Sequence, residues 1–132
     1  MFNMEFKSRF KVYYEDTDIG GVVYYANYLK FLERARSEAI YSLGLSNKKL
    51  LDKEGVIIIV KSCNIEYKKP AKFEDEIEII SKINEVKNSS FKMHQLIKRK
   101  SNVISVAHVT LVTINDKGKP VRIPNLLKKL ID

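Results

Sequence analysis

The chain has 132 residues, the size of one domain around one core, and 45% apolar against 30% charged residues is a globular balance rather than a disordered or fibrous one. Its longest apolar run, Val56 to Val60, falls far short of the roughly 20 residues of a membrane-spanning helix. Lys and Arg number 24 against 16 Asp and Glu, and the resulting +8 suits a polyanionic partner.

The N-terminal Met1-Phe2-Asn3-Met4-Glu5-Phe6 lacks the basic, apolar and small-residue sequence of a secretory signal, so a cytoplasmic location is expected. Alternation then starts. Phe6, Phe10, Val12 and Tyr14 share one face and Lys7, Arg9 and Lys11 the other, which predicts a half-buried strand over 6–14. The acids and paired glycines of Glu15 to Gly21 predict a loop. A long helix is predicted from Ala26 or Asn27 to the stop at Gly44, with Tyr28, Leu29, Phe31, Leu32, Ala35, Ala39, Ile40 and Leu43 on its apolar face. A shorter helix follows, capped by Ser46 and ended by Gly55.

From Val56 the period becomes two. One long strand is predicted up to Pro70, the next carries Ile77, Ile79 and Ile83, and Asn88-Ser89-Ser90 reads as a hairpin turn. A third run with Phe91, Met93 and Ile97 inward turns at Ser101-Asn102, and a fourth covers Ile104 to Ile114. Pro124 to Ile131 reads as a short amphipathic helix. No linker or repeat divides the chain, so residues 1–132 are read as a single α+β domain with four hairpin-linked strands after the long helix. Curling five mainly antiparallel strands around that helix buries both. The exposed sheet edges that remain make pairing with a second copy the expectation.

Several chemistries are poorly served. Cys63 has no partner for a disulfide or a zinc pair, and His94 and His108 are too few for a histidine-rich metal site, so no metal and no cofactor are expected. The acids Glu15, Asp16 and Asp18 have the oxygen ligands for Mg²⁺, yet acids in a glycine turn commonly serve only the turn. Neither a Gly-x-Ser-x-Gly elbow nor a phosphate-binding Gly-x-x-x-x-Gly-Lys-Ser/Thr loop occurs. What remains is Asp18-Ile19-Gly20-Gly21-Val22-Val23-Tyr24-Tyr25-Ala26-Asn27, a carboxylate and two glycines leading into a helix start. Free N–H groups at a helix N-terminus stabilise negative charge growing on a carbonyl oxygen, glycines admit a ligand close to the backbone, and a carboxylate can attack or activate water. The pattern suits acyl transfer or hydrolysis. It is also ordinary turn chemistry.

The run Val12 to Tyr28, with Asp16-Thr17-Asp18-x-Gly20-Gly21-Val22-Val23-Tyr24 at its centre and Glu33-Arg34-Ala35-Arg36 after it, closely resembles the hotdog-fold acyl-CoA thioesterases of the 4-hydroxybenzoyl-CoA thioesterase type, nearest the Tol-Pal-associated bacterial branch. Ile65-Glu66-Tyr67, Pro70-Ala71 and Glu74-Asp75 extend the resemblance to the second half of the chain. It implies a five-stranded antiparallel sheet wrapped around one helix, and chains joined as homodimers or homotetramers. It further implies Asp18 as the catalytic carboxylate and the Tyr25 backbone N–H as the group that polarises the thioester carbonyl, with Gly20, Gly21 and Val23 beside the substrate. The nearest branch commonly has His where Tyr25 stands, which puts that branch's acyl preference in doubt here. CoA phosphates have a plausible place on some of Lys92, Lys98, Arg99 and Lys100, although a charge run is more often only a solvated face. An acidic acyl-carrier protein or an anionic membrane also suits +8, whereas the skew of 19 Lys to 5 Arg speaks against nucleic acid.

Overall fold

Two periodicities in the sequence become two layers in the structure, a computed structural model described for residues 4–131. The elements in order are β1 (Glu5–Lys11), a 3-10 turn (Tyr14–Asp16), α1 (Tyr25–Ser42), α2 (Asn47–Glu54), β2 (Ile57–Tyr67), β3 (Glu76–Val86), β4 (Ser90–Arg99), β5 (Asn102–Ile114), a second 3-10 turn (Asn125–Leu127) and α3 (Lys128–Ile131). The strands form one antiparallel sheet in the order β1-β3-β4-β5-β2. Phe31, Leu32, Ala35 and Ala39 of α1 meet the inward residues Ile77, Ile79, Ile83, Phe91, Met93, Ile97, Ala107, Val109 and Leu111, all buried. Each large apolar side chain fully buried there contributes roughly 1.5–3 kcal/mol relative to exposure. This is the hotdog arrangement that the resemblance implies.

The structure departs from the expected elements in three places. β1 ends at Lys11 rather than Tyr14, because the Asp16 carboxylate accepts the Tyr13 N–H at 2.9 Å and turns the chain into a 3-10 helix. Val12 is buried as expected, but Tyr14 points outward and stacks on Phe73 at 3.9 Å between ring centres. β2 and β3 do not form a hairpin. β2 pairs with β5 at one edge of the sheet, and residues 68–75 carry the chain across to β3, which lies between β1 and β4. Apolar alternation identifies a strand but says nothing about which neighbour it takes. The apolar run Val56 to Val60 is not a fully buried strand, since Ile57, Ile59 and Val60 are exposed on this edge strand, and a register shift between Val60 and Ser62 exchanges its two faces at Lys61.

Short helical pieces follow the sequence closely. Ser46 caps α2 by accepting the Lys49 N–H at 3.0 Å. Near the C-terminus, Leu127 and Leu130 close the open end of the core.

Candidate active site

The loop between the first 3-10 turn and α1 is held at both ends. Asp16 is 3% exposed; besides binding Tyr13, its backbone carbonyl accepts the Tyr24 N–H at 3.2 Å and the Asn27 side-chain amide at 2.9 Å. One buried acid thus ties the loop to the first turn of the helix. On the other side Val23 donates to the Ala71 carbonyl at 2.8 Å and Phe73 donates to the Gly21 carbonyl at 3.0 Å. What lies between them is a tight turn. Asp18 N–H donates to Val22, and Gly21 N–H donates back to the Asp18 carbonyl.

The side chain of Asp18 stands at the tip, exposed, with Oδ1 accepting the Gly20 N–H at 2.9 Å. A carboxylate held by one backbone donor and open on its other oxygen is available to a substrate or a water molecule. Glycine at position 20 leaves the carboxylate undisturbed, because a Cβ there would lie 3.3 Å from Asp18 Oδ1 and press on it. Gly21 is required by conformation, with φ of +77°. Beside this turn α1 begins without a side-chain cap, since its N-cap residue is Tyr24. Among the described residues the N–H groups of Tyr25 and Ala26 therefore have no hydrogen-bond partner.

Aromatic rings surround the helix start. Tyr24 and Tyr25 stack at 5.5 Å, and Tyr67 at the end of β2 approaches Tyr25 at 5.8 Å and Tyr28 at 5.1 Å. The Tyr67 hydroxyl donates to the Tyr25 carbonyl at 3.2 Å, and the Tyr28 hydroxyl accepts the Ala71 N–H at 2.9 Å. Burial pushes both phenols above the ordinary tyrosine value. These hydroxyls fasten the helix N-terminus to the strand and the connection beside it.

The residues expected to meet substrate are not all placed alike. Asp18, Gly20 and Gly21 share one turn, and the Tyr25 N–H lies at the helix start into which this loop leads. Val23 does not share that surface, because its side chain is 4% exposed in the core and its N–H is bound to Ala71. Lys98 faces outward opposite Glu78 on β3, while Lys100 sits at the β4–β5 turn with φ of +56°. Arg99 is engaged within the protein. Its Nη1 reaches Asp75 at 2.8 Å and the Pro70 carbonyl at 2.9 Å, which pins the 68–75 connection. A cavity of about 780 Å³ beside these residues brings Arg9, Lys72, Arg99 and Lys100 together with Glu74, Asp75, Glu76 and Glu78. Charge there is mixed. Lys92 lies elsewhere on the outer face, 3.3 Å from Glu85.

A second group was hidden in the sequence. Arg36 of α1 donates to Gln95 Oε1 at 3.0 Å, and the fully buried Gln95 amide donates to the Leu32 carbonyl at 3.1 Å and Ser81 Oγ at 2.9 Å. Burial lowers the pKa of the Arg36 guanidinium, opposed by Cys63 and Glu33. Among the described residues it has no carboxylate at ion-pair distance, and it lines a cavity of about 130 Å³ with Ile40, Ile58, Val60 and Met93. The available signal was Gln95 itself, a polar residue in the inward register of Phe91, Met93 and Ile97.

A helix gripped by a curled antiparallel sheet, with an exposed carboxylate in the loop that leads into an uncapped helix start, defines a class of hotdog proteins suited to acyl chemistry. The chain belongs to the Thioesterase-like superfamily, whose pattern it matches over residues 12–131. It is 38% identical over 119 residues to the acyl-CoA thioesterase YbgC of Haemophilus influenzae, covering 89% of this chain and 88% of that one. Helicobacter pylori has an acyl-CoA thioesterase YbgC that is 32% identical, with 94% and 98% covered. The crystal structure of a probable thioesterase from Bartonella henselae superposes with a TM-score of 0.88 at 34% identity, covering 92% of this chain and all of that one.

Proposed function

We propose that the protein hydrolyses acyl-CoA thioesters to the free acid and CoA at the Asp18 turn. The observation that carries this reading is an exposed, backbone-oriented carboxylate in the loop that leads into a helix start with unbonded N–H groups. A thioester carbonyl oxygen on the Tyr25 N–H is stabilised as it gains charge. Asp18 then acts in one of two ways. As nucleophile it attacks the thioester carbon, the C–S bond breaks, CoA leaves as a thiolate that takes up a proton, and water hydrolyses the mixed anhydride. As general base it takes a proton from the water that attacks the same carbon, and collapse of the tetrahedral intermediate breaks the C–S bond and releases CoA as a thiolate that takes up that proton. Both routes need the same two groups, and neither needs a metal or cofactor.

The acyl chain lies, on this reading, along α1 past Leu29 towards Arg36, opposite the inner side of β2, in a groove completed by a second copy. The names of the relatives from Haemophilus influenzae and Helicobacter pylori support a CoA substrate. The Asp-Thr-Asp run supports placement near the 4-hydroxybenzoyl-CoA type and the Tol-Pal-associated branch. No helix is long and apolar enough to cross a membrane among the described residues, which accords with cytoplasmic work. A second reading is favoured by the charge, because +8 would also attract an acidic acyl-carrier protein.

Release of free thiol from a panel of acyl-CoA chain lengths, with matched acyl-carrier-protein substrates, tests the proposal. Turnover of CoA thioesters above the matched carrier substrates is expected. Preference for the carrier substrates would transfer the assignment, and hydrolysis of neither would remove it.

A further inference from the structure

On the outer face of the sheet, away from α1, the chain's two histidines meet. His94 on β4 and His108 on β5 are register partners, with ring centres 5.0 Å apart and ring planes at 49°. Both strands lie inside the sheet order, β4 supported by β3 and β5 by β2, so each backbone is hydrogen-bonded along both sides. The separation has a chemical meaning. A metal ion bound at about 2.0–2.1 Å from an imidazole nitrogen lies about 3.2 Å from the ring centre. With a nitrogen of each ring turned to a shared ion, two rings 5.0 Å apart subtend about 100° at it, between octahedral and tetrahedral angles.

We propose that His94 and His108 form a two-imidazole site for a late first-row transition-metal ion, bound in preference to Mg²⁺ or Ca²⁺ and tightest for Cu(II). The set is two nitrogens with water completing the sphere. Among the described residues no three His, Cys, Asp or Glu gather closely enough to make a larger cluster. In the same row across the sheet, Asn64 stands opposite His108 and offers an amide oxygen on the same face, while Lys82 stands opposite His94. Lys92 lies two residues from His94 on that face. Lys92 is paired with Glu85 at 3.3 Å, which leaves Lys82 as the facing cation; its repulsion acts alike on every divalent ion and is offset only by ions that form strong bonds to imidazole. This face is separate from the Asp18 turn, so the inference stands apart from the proposed catalytic role.

Calorimetric titration of the full, untagged chain with Cu(II), Ni(II) and Zn(II), with electron paramagnetic resonance of the copper form, tests it. One Cu(II) per chain with nitrogen ligation is expected, weakened by about tenfold or more in each of His94→Gln and His108→Gln. Both variants should melt like the wild type in metal-free buffer, which separates loss of a ligand from loss of the fold. Absence of binding in the wild type would overturn the proposal. So would unchanged copper affinity in the double variant, or dependence on only one of the two histidines.

Discussion

Asp18 and Gly20 work through a single contact. The Gly20 N–H orients the carboxylate, and the missing Cβ leaves room for the oxygen that accepts it. Gly20 does not need a left-handed backbone, so Gly20→Ala should fold normally while pressing the carboxylate by a few tenths of an ångström. Small misplacements of a reacting group are costly, and kcat is expected to fall by about tenfold with little change in melting temperature. Wild-type kcat in this variant, measured by thiol release, would mean that the carboxylate is not held where it acts. At this scale the sequence was partly legible. Acid, paired glycines and helix start could be read directly, but Asp16 and Asp18 are chemically alike, and only the 3-10 turn decides that Asp16 points inward and Asp18 outward. Arg36 stands in the sequence only as part of the Glu33-Arg34-Ala35-Arg36 run, because its buried partner Gln95 is 59 positions away in the chain.

Of the two edge strands, β1 and β2, it is β2 that carries exposed apolar residues along its length. It lies at the edge of the sheet beside β5 alone, and Ile57, Ile59 and Val60 are each 40–45% exposed along it. Apolar edge strands of this kind pair with another chain unless blunted by charge. A two-fold pairing through β2 would place every substitution twice in the interface. Ile59→Lys is therefore expected to shift the protein from a two-chain to a one-chain species in sedimentation at micromolar concentration, with hydrolysis lost if the groove needs both copies. An unchanged sedimentation coefficient would exclude this edge as the contact. The limits of α2 could be read because Ser46 and Gly55 act locally. The placement of β2 could not, since its alternation was the same whether it paired with β3 or β5.

For the molecule as a whole, the opening excess of positive charge has lost part of its apparent meaning. Arg99 is bound to Asp75, Lys92 to Glu85 and Arg9 to Glu78, and the large cavity beside Arg99 holds as many carboxylates as cations. Exposed pairs such as Arg9 with Glu78 contribute little to stability, at most about 1 kcal/mol. The fold rests instead on α1 and the inner face of the sheet. Its consequence for function is that the helix N-terminus and the Asp18 turn are presented on a packed frame, clamped by Asn27, Ala71 and Phe73. The most direct test of this account is Asp18→Asn in the full chain, nearly the same size but unable to attack or accept a proton. With acyl-CoA substrates kcat is expected to fall by about a hundredfold or more while the melting temperature is kept. A variant that folds and hydrolyses within about twofold of the wild-type rate would contradict the assignment.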